Sequence, residues 1–315
     1  MSLPCDDFAR GLTATLAAPA YPQTVEDLQE HTHKLKDGTV VHHAHLRGHQ
    51  THGHGPMSQD RVVKSSRPYL DRDRLTQNDR LAAQTRQWLQ QQRILALNVV
   101  GAPGAGKTSL LLQTLRHFQQ RATMASRGQL PAMGVIEGDQ ETSQDADRIR
   151  ATGTQAVQIN TGIHSHLDAA MVQQGLTQLQ PTASSVVMIE NVGNLVCPAL
   201  FDLGEAAKVT VLSVTEGDDK PIKYPHLFRA SQVMVLNKID LLPHLTFDVA
   251  RCLGYARQVN PHLQVLQVST LTGQGLEGWY QWLSSRLPKD MGRSPHSSEW
   301  SPPLEGKRSP VAAVA

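Results

Sequence analysis

Between residues 94 and 268 the apolar positions fall into short blocks: Ile94–Val100, Met133–Glu137, Ala156–Ile159, Val186–Ile189, Val209–Val214, Val233–Leu236 and Val265–Val268. Near-continuous apolar blocks too short for a helix predict strands buried on both faces. Helical spacing fills the stretches between them, including Asp145–Ala151, His166–Leu179 and Phe247–Val259. Repeated strand–helix units predict an α/β fold, a mostly parallel sheet with helices on both faces. Ahead of the first block, Leu75, Leu81, Trp88 and Leu89 recur among charged and Gln residues from Asp71 to Gln92, which predicts an amphipathic helix leading into the sheet. Residues 1–68 lack sustained periodicity, and residues 287–315 are rich in Ser and Pro. Both ends are expected to be disordered, flanking a domain over 69–286.

The first block runs into Gly101-Ala-Pro-Gly104-Ala-Gly106-Lys107-Thr108, followed by Ser109-Leu110-Leu111-Leu112 at the start of a helix. Strand, glycine-rich turn and helix N-terminus form a phosphate loop. Glycines let the backbone approach a nucleotide, successive N–H groups point at its phosphates, Lys107 neutralises the outer phosphates and the Thr108 hydroxyl can ligate Mg²⁺. The domain is expected to be a P-loop NTPase, with its chemistry beyond the carboxyl ends of the strands.

Three further stretches stand at such ends. Asn237-Lys238-Ile239-Asp240 follows Val233–Leu236 and resembles the guanine-recognition loop of GTPases. Asp240 can accept from guanine N1–H and its 2-amino group, a pair that adenine does not offer. Ser269 follows the next strand, where GTPases place a second base-contacting loop. Asp139 and Glu190 each close an apolar block, the pattern by which NTPases support Mg²⁺ directly or through water. Lys107, Asp139 and Glu190 are thus the candidate catalytic residues, with GTP and Mg²⁺ as ligands.

Composition narrows the class. Thirty Lys and Arg against 28 Asp and Glu leave a net charge of +2, which gives no case for nucleic acid or a membrane surface as partner. Three cysteines, Cys5, Cys197 and Cys252, do not make a disulfide framework. Residues 11–20 are mildly apolar but follow Asp6 and Asp7, which argues against a signal peptide, and no apolar run reaches the roughly 18–20 residues of a membrane span. A cytoplasmic protein is expected. Eight of the fifteen histidines (His31, His33, His42, His43, His45, His49, His52 and His54) crowd one short stretch, a density that suits loose, multi-site binding of Ni²⁺, Zn²⁺ or Cu²⁺.

The chain carries Gly138-Asp139-Gln-Glu-Thr142-Ser143-Gln-Asp145-Ala146-Asp147-Arg148, Asn160-Thr161-Gly162, Glu190-Asn191-Val192-Gly193-Asn194-Leu195-Val196-Cys197-Pro198 and Ser213-Val214-Thr215-Glu216-Gly217-Asp218-Asp219-Lys220-Pro221-Ile222-Lys223-Tyr224-Pro225. With these strings it resembles, from about residue 70 to 285, the HypB family of hydrogenase maturation GTPases. The resemblance implies a SIMIBI-type GTPase that dimerises over GTP and helps deliver nickel to the large-subunit precursor of nickel–iron hydrogenase, with a HypA-type nickel chaperone as partner. In such a dimer at least one of Lys220 and Lys223 is expected to reach the nucleotide of the second copy. Its interface metal site uses adjacent Cys and His plus a later Cys. Here His166 and Cys197 match, while Ser165 stands at the first Cys position and His164 is the nearby substitute. The family's N-terminal Cys-x-x-Cys-Gly-Cys motif has no counterpart in Met1–Cys5. Alternatives of other classes are a nickel-storage protein, a GTP-dependent metallochaperone for a different metalloenzyme, and a phosphate-loop kinase. The intact Lys107, Thr108 and Asp240 speak against storage alone, and the guanine motif against a kinase.

Overall fold

A computed structural model of the protein describes residues 28–34, 40–46, 72–124, 130–140, 143–162 and 164–288. Chain contacts separate two units, Met1–Arg67 and Pro68–Ala315. In the first, β1 (Leu28–Lys34) and β2 (Val40–Leu46) pair antiparallel, His31 opposite His43 and Thr32 opposite His42. This hairpin departs from the irregular backbone expected there. Thr32, Val40 and Val41 are β-branched, and ladder pairing satisfies backbone groups that composition alone would leave to water. His49, His52 and His54, and the Ser/Pro-rich tail from 289 onward, lie outside the described residues.

The second unit is built in chain order from α1 (Arg72–Gln91), β3 (Leu95–Gly101), α2 (Lys107–Met124), β4 (Met133–Asp139), α3 (Gln144–Arg150), β5 (Gln155–Asn160), α4 (Ala169–Leu179), β6 (Val186–Glu190), β7 (Ala207–Ser213), α5 (Lys220–Lys223), α6 (Pro225–Ala230), β8 (Val233–Asn237), α7 (Val249–Val259), β9 (Gln264–Gln267) and α8 (Leu276–Ser284). Seven strands form one sheet in the order β5-β4-β6-β3-β7-β8-β9, and every strand pair is parallel. All seven apolar blocks became strands. β3 sits at the centre, with β6 on one side and β7 on the other, so the strand order reverses beside the phosphate loop; crevices at such reversals hold ligands.

Alternate strand positions feed different cores. Leu97 and Val99 of β3 pack with Leu111, Leu115, Trp279 and Leu283, whereas Ala96 packs with Ile136, Leu167, Val172 and Leu176. A third cluster joins Val100 and Leu212 to Phe228, Met234 and Cys252. Asn98, fully buried, is the polar exception on β3.

Helix α1 is fastened to the sheet domain by side chains along its length: Asn78 donates to the Asp202 carbonyl and accepts from the Ala169 N–H, each at 2.8 Å, and Arg86 donates to both oxygens of the Asp202 carboxylate at 2.6 and 2.7 Å. One local expectation is corrected. The helix expected from His166 begins at Ala169, because Asp168 takes the capping position and accepts from Met171 N at 2.9 Å; His166 therefore lies in the preceding loop. Lys220–Lys223 forms the single turn α5 with Pro221 in its first positions. Among the described residues no helix is long and apolar enough to cross a membrane.

Candidate functional site

At the end of β3 the chain turns into α2, and the carboxyl ends of β4, β6 and β8 close around that turn. A cleft of about 520 Å³ results, lined by Gly104, Gly106, Lys107, Thr108, Ser109, Glu137, Asp139, Asp145, Arg148, Glu190, Gly193 and Lys238. Gly106 carries the turn at φ +97°, and a Cβ there would lie 2.3 Å from Asn237 Nδ2, so only glycine fits. Gly193 lets the loop after β6 lie against Pro103, which a Cβ would meet at 2.8 Å.

Lys107 is 8% exposed. Its Nζ donates to the carbonyls of Gly101 and Ala102, both at 3.3 Å, in place of phosphate. Burial lowers its pKa, and the nearby Glu190 and Glu216 pull it back up. The Thr108 hydroxyl donates to Glu190 Oε1 at 2.7 Å, while Glu190 Oε2 is buried with no partner. Burial pushes the Glu190 carboxyl up to about 7 against the pull of Lys107 and Thr108. Beside it, Glu137 is raised to about 8, by burial first and then by the charges of Glu190 and Asp139. Its Oε2 is likewise unpartnered. Asp139 ends β4 and accepts from the Gln140 N–H at 2.6 Å. A helix-capping role does not arise, because Ser143 precedes α3.

The Asn237–Asp240 loop is sewn onto the phosphate loop. Asn237 donates from Nδ2 to the Ala105 carbonyl at 3.0 Å and accepts at Oδ1 from Thr270 N at 3.2 Å. Lys238, in the left-handed region at φ +63°, donates to the Gly104 carbonyl at 2.7 Å. Asp240 Oδ1 is buried without a partner. Ser269, fully buried, accepts at Oγ from Thr272 N at 3.0 Å and so shapes the neighbouring loop.

A second cluster lies on the loops after β5 and β6. Ser165 Oγ donates to Cys197 Sγ at 3.5 Å and accepts from Asn194 Nδ2 at 2.9 Å. The His166 ring packs on Phe201 at 4.0 Å between centroids, and the His164 ring is 6.2 Å from it. His166 Nδ1 is buried and unpartnered, and burial lowers its pKa, so the ring is held neutral. Among the described residues no group of three or more His, Cys, Asp or Glu side chains is placed to hold a metal ion. Of the two lysines on α5, Lys223 pairs with Asp219 at 2.6 Å and Lys220 sits 5.3 Å from the Tyr224 ring.

Sequence reasoning missed Glu137, whose position inside an apolar block made it look like a strand end, and Asp145 and Arg148, which line the cleft from α3. The apolar-then-acid order at Val135-Ile136-Glu137, the same as at Met188-Ile189-Glu190, was the available signal.

Residues 95–267 match the family described as CobW/HypB/UreG, nucleotide-binding domain. The chain is 50% identical over 248 residues to hydrogenase maturation factor HypB of Rhizobium leguminosarum bv. viciae, covering 79% of this chain and 77% of that one. It is 44% identical over 283 residues to the Escherichia coli K12 HypB, covering 90% and 92%. Among solved structures, HypB from Helicobacter pylori in complex with nickel aligns at a TM-score of 0.59 and 31% identity, covering 68% of this chain and 99% of that one.

Two buried carboxyls, each with one unpartnered oxygen, make the nucleotide-free site pH-sensitive. Their folded pKa values, about 8 and about 7, lie above the ordinary carboxyl value of 4.5. The folded state therefore holds extra protons, and the stability they supply is full below pH 4.5 and is lost as pH rises through 7 and 8. Glu137→Gln is expected to melt close to the parent near pH 4.5 and clearly above it at pH 8.5. Thermal melts of nucleotide-free protein across that range check the sign; a variant less stable than the parent at pH 8.5 refutes it.

Proposed function

We propose, for a chain that belongs to the HypB family of hydrogenase maturation factors, that it binds and hydrolyses GTP and uses that cycle to hand nickel to the large-subunit precursor of a nickel–iron hydrogenase. The observation that carries the nucleotide reading is Asp240, an acceptor buried without a partner on a loop hydrogen-bonded to the phosphate loop. A guanine N1–H and 2-amino group supply the missing donors.

The remaining residues take roles that their surroundings support. Lys107 exchanges the carbonyls of Gly101 and Ala102 for the outer phosphates. Backbone N–H groups of Gly104–Ser109 surround the phosphate chain, with the N-terminus of α2 behind them. Thr108 and Glu190, with Asp139 directly or through water, form an all-oxygen donor set with a free buried oxygen on Glu190, which fits Mg²⁺. When bound, Mg²⁺ neutralises charge on the β- and γ-phosphates. The protein's own part is to position: Gly193 brings the loop after β6 against Pro103, within reach of the terminal phosphate.

Nickel is the cargo. Two copies meeting face to face over GTP contribute two Cys197 thiols and two His166 imidazoles, enough for a four-ligand site that one chain alone does not assemble. Ser165 lacks a thiolate, so the site is weaker and more dependent on dimerisation than a three-ligand one. Lys220 and Lys223 reach the partner copy's nucleotide, the histidine stretch gathers metal, a HypA-type chaperone supplies or accepts it, and the process runs in the cytoplasm.

Asp240→Asn is expected to shift preference from GTP towards xanthosine triphosphate, whose 2-oxo group wants a donor. Competition binding reads this, and equal turnover of ATP and GTP by the parent refutes guanine recognition. In sedimentation, association is expected with a non-hydrolysable GTP analogue and not with GDP. Lys220→Ala with Lys223→Ala should weaken it while leaving GDP affinity unchanged; equal loss of GDP binding makes the two lysines ordinary contacts within one chain. For the metal, the full chain with its eight clustered histidines changed to serine is titrated with Ni²⁺ and the analogue. The remaining binding should vanish in Cys197→Ala with His166→Ala, and its persistence eliminates the core site.

A further inference from the structure

Asn98 is fully buried in the middle of the central strand β3, where every neighbouring position is apolar. An unbroken chain of hydrogen bonds and one ion pair passes through it. The Leu167 N–H donates to Asn191 Oδ1 at 3.0 Å. Asn191 Nδ2 donates to Asn98 Oδ1 at 3.2 Å, and Asn98 Nδ2 donates to Glu205 Oε1 at 3.1 Å. Lys208 Nζ then meets Glu205 Oε1 at 2.8 Å and donates onward to the Pro198 carbonyl at 2.9 Å. Glu205 Oε2 is taken by the Leu203 N–H at 2.8 Å. A carboxylate only accepts, so Asn98 must turn its amino group to Glu205 and its oxygen to Asn191, which fixes the direction of every link.

The two ends of the chain fall next to the two candidate metal ligands. Leu167 follows His166 and Pro198 follows Cys197. Both loops are otherwise held from the cleft side by Ser165 and Asn194; this network grips them from inside the core. Lys208 and Glu205 are each only 7% exposed in their side chains. Buried ion pairs of that kind contribute little net stability over apolar residues of similar volume, so stability alone does not account for one beside the central strand. Fully satisfied buried networks do rigidify what they touch.

We propose that Asn98, Glu205 and Lys208 are positioning residues for the metal site: they fix the backbone of the His166 and Cys197 loops relative to each other and to the phosphate-loop strand, so that both ligands are presented together. This rests on the reading of His166 and Cys197 as nickel ligands. Outer-shell partners of metal ligands typically control affinity about 10- to 100-fold, and an effect of that size is expected here.

The test uses the full chain with its eight clustered histidines changed to serine. Glu205→Gln with Lys208→Met removes both charges together, keeps an acceptor for Asn98 and frees the Pro198 carbonyl. Asn98→Ala cuts the chain on the His166 side and serves as the second variant. Ni²⁺ affinity with a GTP analogue is measured beside GDP affinity and the rate at which iodoacetamide alkylates Cys197, mapped by mass spectrometry. Nickel binding about tenfold weaker or more, faster Cys197 alkylation in the double variant, and GDP affinity within twofold of the parent support the proposal. Unchanged nickel affinity and alkylation overturn it, as does a parallel loss of GDP affinity, which reduces the network to general scaffolding. Alkylation is read without metal. A parent with no nickel binding dependent on Cys197 and His166 therefore sinks the metal reading, while the alkylation result still decides whether the network holds the Cys197 turn.

Discussion

The structure depends on a close approach between two loops at neighbouring strand ends. Asn237, at the tip of β8, lies near enough to the turn after β3 to donate to the Ala105 carbonyl at 3.0 Å, and only the missing side chain at Gly106 makes that possible. The Asn237 loop and the phosphate loop are thereby held as one body rather than as two separate loops. Lys238 repeats the fastening at Gly104 from a left-handed backbone position. A strained conformation at a lysine is held only where surrounding contacts over-determine it, and here they do.

Around that body the site is assembled from groups left incomplete. Lys107 rests on carbonyls, Glu137 and Glu190 each carry an oxygen without a partner, and Asp240 does the same on the base side. In the proposed nucleotide-bound state, a nucleotide or cation would supply each missing partner. The buried network through Asn98 is the opposite case, with every atom satisfied. Incomplete groups bind ligands; satisfied ones hold loops still.

How much of this could be read from the chain depends on distance along it. The five inner strands were legible because each buries both faces and so reads as a local apolar block, and the edge strands β5 and β9 because short apolar stretches stand between their polar ends. The phosphate loop and Asn237–Asp240 were legible because their chemistry is contiguous. The start of α4 was misplaced because helical spacing continued back through His166, while the true boundary was set by the Asp168 side chain capping Met171. The hairpin over β1 and β2 was hidden by a polar composition that also suits disorder. Nothing local could disclose the network, since Asn98 meets Asn191 and Glu205 across 93 and 107 residues. Glu137 was passed over for a related reason: its meaning depends on Glu190, which lies on the adjacent strand.

The two edges of the sheet carry a consequence of their own. Edge strand β9 is four residues long and bounded by exposed Gln264 and Gln267, and at the other margin β5 is bounded by exposed Gln155 and Asn160. A short strand flanked by amides offers a poor template for another chain, and such edges discourage open-ended pairing. Growth of the sheet from copy to copy is thereby disfavoured at both margins. The face-to-face pairing proposed above would use the loop-bearing end instead, and a pairing of that kind closes at two rather than running on into fibres.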